Sequence, residues 1–107
     1  MTPAKQLARL CAADALAVGE MRRFELDGAP PIALYRLADG FHATADTCTH
    51  ARASLTEGDL EGDEIVCPVH FGTFHVPSGR ALCFPVTEDL HVYPVHLADG
   101  DVHVELS

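Results

Sequence analysis

Positive charge is scarce in this chain: 7 Lys and Arg stand against 16 Asp and Glu, a formal charge of −9 over 107 residues. That balance excludes a binder of nucleic acid or of an anionic membrane and predicts partners with basic surfaces. Long apolar runs are also missing. Leu10 to Val18 is short, is interrupted by Asp14 and leads straight into Glu20, too weak a pattern for a membrane span or a signal peptide. The Arg22-Arg23 pair lacks the apolar stretch a twin-arginine signal needs, because Glu25 and Asp27 stand in its place. The expected location is the cytoplasm, so the 4 cysteines are read as reduced thiols and not as a disulfide framework. No Gly-rich phosphate loop, Ser/His/Asp arrangement, repeat or linker is visible. A chain of this length makes one domain, residues 1–107, without room for flavin, nucleotide and oxygenase sites.

What is present is punctuation typical of β-proteins. Asp27-Gly28, Asp39-Gly40, Glu61-Gly62, Pro77-Ser78-Gly79 and Asp99-Gly100 are turn signals at short intervals. Ile32 to Leu37 is expected to form a strand that Asp39-Gly40 turns back into Phe41 to Thr44. Leu90 to Leu97 and Val102 to Leu106 are expected to form a second hairpin around Asp99-Gly100. Val102, Val104 and Leu106 would then share one face, with His103 and Glu105 on a solvated one. Only Ala12 to Ala17 reads as helical, a turn or two at most.

Two patches carry the chemistry. Cys48-Thr49-His50 and, after the 16 residues Ala51 to Val66, Cys67-Pro68-Val69-His70 each offer one thiolate and one imidazole. Predicted strands, Phe41 to Thr44 and Glu64 to Val66, precede them, so both can lie at loop tips facing each other. A cluster with two cysteines on one iron and two histidines on the other needs this ligand set. The same set also describes a tetrahedral zinc site, although zinc sites usually pair like ligands within a patch, whereas here each patch mixes them.

The patches, Cys-x-His and Cys-x-x-His, resemble the Rieske signature, and the likeness continues through Ile65 to Phe74, Ser78 to Leu82 and Pro85-Val86-Thr87. From about Gly40 onward the chain is similar to the ferredoxin components of bacterial aromatic-ring dioxygenases. That resemblance implies an all-β Rieske fold: an antiparallel β-sandwich base and a small cluster-binding subdomain at about residues 46–86. It implies one 2Fe-2S cluster, with Cys48 and Cys67 on a buried iron and His50 and His70 on an exposed one. It implies two partners, a flavin-containing ferredoxin reductase and a terminal Rieske non-haem iron oxygenase. Leu82-Cys83-Phe84-Pro85 matches the proline-containing segment that covers the cluster in the family. Two other classes stay open: the Rieske-like small subunit of an assimilatory nitrite reductase, and a zinc-stabilised interaction module.

Departures from the respiratory Rieske pattern set an expected potential. Ala53 and Val69 stand where those proteins carry a disulfide, and Gly72 and Phe74 where they carry a serine and a tyrosine that bond to sulfur. Fewer donors stabilise the reduced cluster less, so the midpoint should lie near the family's low end, roughly −150 mV. Redox titration checks this, and a midpoint above zero contradicts it. Of the remaining residues, Cys11 and Cys83 read as small buried apolar groups, Phe74 as core and Phe71 as a candidate partner contact. His42, His75, His91, His96 and His103 read as ordinary strand or surface residues.

Overall fold

The computed structural model describes residues 7–49, 51–69, 71–84 and 86–106. In chain order the strands are β1 (Leu7–Ala12), β2 (Met21–Phe24), β3 (Ile32–Leu37), β4 (Gly40–Ala45), β5 (Asp59–Glu61) and β6 (Glu64–Val66). They continue as β7 (Thr73–His75), β8 (Ala81–Cys83), β9 (Val92–Tyr93), β10 (Val95–Ala98) and β11 (Asp101–Glu105). Three antiparallel sheets result, ordered β1-β11-β10, β2-β3-β4-β9 and β5-β6-β7-β8.

β3 is the septum of the molecule. Its side chains alternate between two cores, as a strand's period of two dictates. Ile32 and Leu34 join Leu10, Leu16, Val102 and Val104 in the basal core. Ala33, Tyr35 and Leu37 join Cys48, Leu55, Ile65, Cys67, Phe74 and Val86 in the other. A strand buried on both faces reads as a nearly continuous apolar run, which is how it stood out in the sequence. The Tyr35 hydroxyl, buried with the ring, pairs with Thr44 Oγ1 at 2.9 Å, so the largest side chain of the septum leaves no orphan polar atom. Asp99 and Gly100 both have positive φ, +55° and +78°, the conformation a tight two-residue hairpin needs between β10 and β11.

Four expectations need correcting. The run Leu90 to Leu97 is not one strand: it breaks at Pro94, with β9 in one sheet and β10 in another. Proline has no N–H for a ladder, and here its carbonyl accepts the Glu105 N–H at 3.0 Å. The Ala12 to Ala17 segment holds only a single 3₁₀ turn, Ala13–Ala15; the residues before it are β1, drawn into pairing with β11. Glu105 is buried, and its carboxylate bonds to His96, its diagonal neighbour across the β10–β11 ladder. Cys83 is exposed, because β8 is the sheet's edge strand and only Ala81 packs inward.

Candidate metal centre

Cys48 lies in the loop leaving β4, and Cys67 directly follows β6. Both thiols are buried, 3% and 0% exposed, in the core beneath the loop tips. Neither is in a disulfide. Burial pushes the Cys67 thiol up from its ordinary pKa, and the neighbouring Cys48 thiol adds to this by hydrogen bonding and charge, while the Val69 N–H, bonded to Cys67, pulls the other way. Two sulfurs from two loops are therefore neighbours in an apolar pocket, unlinked, with a backbone donor on one of them. Such a donor set fits a metal group that binds buried thiolates and offsets their charge. His50 and His70, the other two residues of the expected ligand set, lie outside the described residues, as does Pro85. Among the described residues no three Cys, His, Asp or Glu side chains gather as metal ligands.

Local structure explains how each thiol is held. Cys48 N–H donates to the Ala53 carbonyl at 3.0 Å, and an isolated bridge joins Thr47 to Ser54, closing the first loop at its neck. In the second loop Cys67 N–H donates to the Gly72 carbonyl at 2.7 Å. Phe71, with φ +59°, turns that loop back, a conformation costing an ordinary side chain roughly 1 kcal/mol or more. Gly72 has no room for a side chain: a Cβ there would sit 2.4 Å from Val86 Cγ1. A third loop, following β8, thus rests on the second through Val86. It is tied to the first as well, because Thr49 Oγ1–H donates to the Glu88 carbonyl at 2.8 Å.

Large apolar side chains on the second loop, on β8 and at the start of the third loop are exposed. Val69 is 37%, Phe71 73%, Leu82 45% and Phe84 87% exposed. Phe71 is therefore at the surface and Phe74 is core, as read from the sequence. His75 is the strand residue expected, and its ring ties two turns together. Its Nδ1 lies 2.7 Å from Ser78 Oγ and its Nε2 3.2 Å from Asp63 Oδ2, a Ser/His/Asp arrangement not visible in sequence. The Arg80 N–H also donates to Ser78 Oγ, so the hydroxyl is engaged in closing the Pro77-Ser78-Gly79 turn. The trio clamps the β7–β8 turn to the β5–β6 turn.

Sequence reading missed Asp46, Thr49 and Gly58. Asp46 is 1% exposed between Ser54, Thr56 and Arg23. Gly58 carries its Cα against the Val66 carbonyl. An Asp closing a strand just ahead of a ligand loop is a usable signal for Asp46; Thr49 and Gly58 depend on contacts 39 and 8 positions away that no local pattern announces.

Residues 6–94 match the Rieske [2Fe-2S] domain family. The chain belongs to that family. Its cofactor is accordingly one 2Fe-2S cluster, and the zinc reading falls away. Ferredoxin CarAc of Metapseudomonas resinovorans is 47% identical over 96 residues, 90% of each chain. The 3-phenylpropionate/cinnamic acid dioxygenase ferredoxin subunit of Escherichia coli strain K12 is 40% identical over 99 residues, 92% of this chain and 93% of that one. Among solved structures, a complex of reduced oxygenase and oxidised ferredoxin in carbazole 1,9a-dioxygenase holds a chain that superposes with a TM-score of 0.89. That chain is 45% identical, and 92% of each is covered. The Rieske fold with its antiparallel sheets is thus the fold of this chain.

Proposed function

We propose that this protein is the ferredoxin of a multicomponent aromatic-ring dioxygenase, taking single electrons from an NAD(P)H-oxidising, flavin-containing reductase and passing them to the terminal oxygenase. It is a carrier and makes or breaks no substrate bond. The observation that carries the reading is the likeness, at 45% identity and over nine-tenths of both chains, to the ferredoxin of an oxygenase–ferredoxin complex. When bound, the cluster supplies a one-electron redox site at the loop tips. Cys48 and Cys67 would hold one iron, and His50 and His70 the other. The described residues supply the rest: the core around the two thiols excludes water, and Val69, Phe71, Leu82 and Phe84 offer an apolar face for a partner to dry. The cluster-binding subdomain, about 46–86, would stand on a basal unit made by the terminal strands within one domain, 1–107. The proposed location is the cytoplasm; among the described residues no helix is long and apolar enough to cross a membrane.

Reconstitution tests this. The purified protein should couple NADH oxidation by a reductase to product formation by a terminal oxygenase. A nitrite reductase subunit would share the fold but co-purify with a large catalytic chain and fail to couple. Within the reconstituted system, Phe71→Ala combined with Phe84→Ala should lower the second-order rate of electron delivery by about tenfold, the loss of two central aromatic contacts. The midpoint potential should stay unchanged, since neither ring is buried in the cluster's core. Stopped-flow kinetics with equilibrium titration separates the two effects. A wild-type rate would remove these side chains from the docking face.

A further inference from the structure

The geometry points to Asp46 as a positioning residue for the first ligand loop, acting on Cys48 through the neck that its carboxylate closes. The inference rests on the reading of this chain as a cluster carrier. Asp46 ends the excursion of β4 into the loop, two positions before Cys48, and its side chain is 2% exposed. Two donors converge on it, Ser54 Oγ–H at 2.5 Å on Oδ2 and Thr56 N–H at 3.1 Å on Oδ1, and Arg23 Nε forms an ion pair with Oδ2 at 3.4 Å. Its backbone is spent in the same place. Asp46 N–H donates to the Pro31 carbonyl at 3.0 Å, and its carbonyl accepts the Leu55 N–H at 2.8 Å.

One residue thus grips both ends of the loop and fastens it to the β2-β3-β4-β9 sheet through Arg23 on β2. The neck of the loop that carries Cys48 cannot part without unpairing a buried carboxylate. The choice of carboxylate follows from the donors. An aspartate accepts at both oxygens, whereas an asparagine would turn its NH₂ toward one of these donors and leave that donor unsatisfied. Arg23 sits at the longest distance and is 43% exposed, so the two hydrogen bonds from residues 54 and 56 do most of the gripping.

Asp46→Asn and the milder Ser54→Ala test the assignment against wild type. Three quantities are read: the rate of cluster loss to a chelator, the midpoint potential, and amide exchange of the metal-free protein. Asp46→Asn should release the cluster about tenfold faster and Ser54→Ala by a smaller factor. Exchange should quicken in residues 47–56 and stay slow in β3 and β11. The potential should move upward in Asp46→Asn, because a buried negative charge near a cluster disfavours its reduction and would be gone. Ser54→Ala keeps that charge, so a movement of its potential while the fold holds reads the position of the loop instead. Wild-type release in both variants overturns the assignment, as does exchange rising equally in both cores. If Asp46→Asn does not fold, Ser54→Ala decides by the same rate. A wild-type protein that binds no cluster would fail the carrier reading instead, and exchange of the metal-free variants would still judge Asp46.

Discussion

Cys67→Ala should yield a colourless protein with no reducible cluster, while Cys11→Ser and Cys83→Ser together should keep both colour and redox activity. The expected loss is near complete because of how the second thiol is placed. Cys67 is fully buried beside Cys48, in a core with no solvent to substitute for it as a ligand. Removing one of two thiolates also removes half of the negative charge that offsets the metal group in an apolar site. The two control cysteines differ in location and not merely in sequence. Cys11 packs in the basal core on the far side of β3, and Cys83 lies on an exposed edge strand. The polypeptide itself should survive the Cys67 change, with about 1 kcal/mol lost from the metal-free form for the atom removed. Iron content, visible absorbance and a denaturant melt of each variant check this. Retained cluster in Cys67→Ala, or lost cluster in the folded double serine variant, would overturn the ligand assignment.

Gly58→Ala should be a severely damaging single methyl. A Cβ at Gly58 would stand 2.0 Å from the Val66 carbonyl oxygen and 3.1 Å from Pro68 Cδ. The first of these is backbone in a paired strand, Asp59 being registered against Val66, so no rotamer relieves the contact. The strands must part instead, at a cost of about 3 kcal/mol, the upper range of overpacking. Because Val66 immediately precedes Cys67, the displacement reaches a proposed ligand. Chemical denaturation should show the lost stability, and iron per chain should fall together with it. Gly62 is the comparison: with φ +61° it is strained by any side chain but meets nothing within 4 Å. Gly62→Ala should therefore cost only about 1 kcal/mol and leave the iron content alone. Equal effects at the two glycines would show that backbone conformation, and not the close approach of residues 58 and 66, governs this hairpin.

Much of the fold was legible because a strand's requirements are local. Ile32–Leu37 and Glu64–Val66 coincide with the strands expected for those stretches, since an apolar run between Asp-Gly or Glu-Gly turns has few other outcomes. The failures have physical causes. Pro94 sat in plain view, but only the sheet topology shows that the chain changes sheets there. Glu105 obeys the alternation that puts it opposite Val104, yet lies under His96, and partnership across strands is invisible to periodicity. Cys83 was read as buried from residue type alone, which an edge strand overrode.

The candidate centre divides in the same way. Its residue types and spacing announced the chemistry, and the structure brings Cys48 and Cys67 together as that chemistry needs. The second layer was silent. Thr49 reaches a carbonyl 39 residues away, and Asp46 answers donors on two different elements. Those contacts come from tertiary folding and carry no motif of their own.

The central claim is that mixed thiolate and imidazole ligation at two loop tips makes this chain a one-electron carrier. Visible and low-temperature EPR spectra of anaerobically purified protein, before and after dithionite, test it most directly. The expected result is a brown protein that bleaches on reduction. Its EPR signal should then have an average g value lower than that of an all-thiolate cluster, with couplings from imidazole nitrogen. A reducible cluster without nitrogen couplings would contradict the assignment of His50 and His70, and a protein that is colourless and redox-silent would contradict the carrier itself.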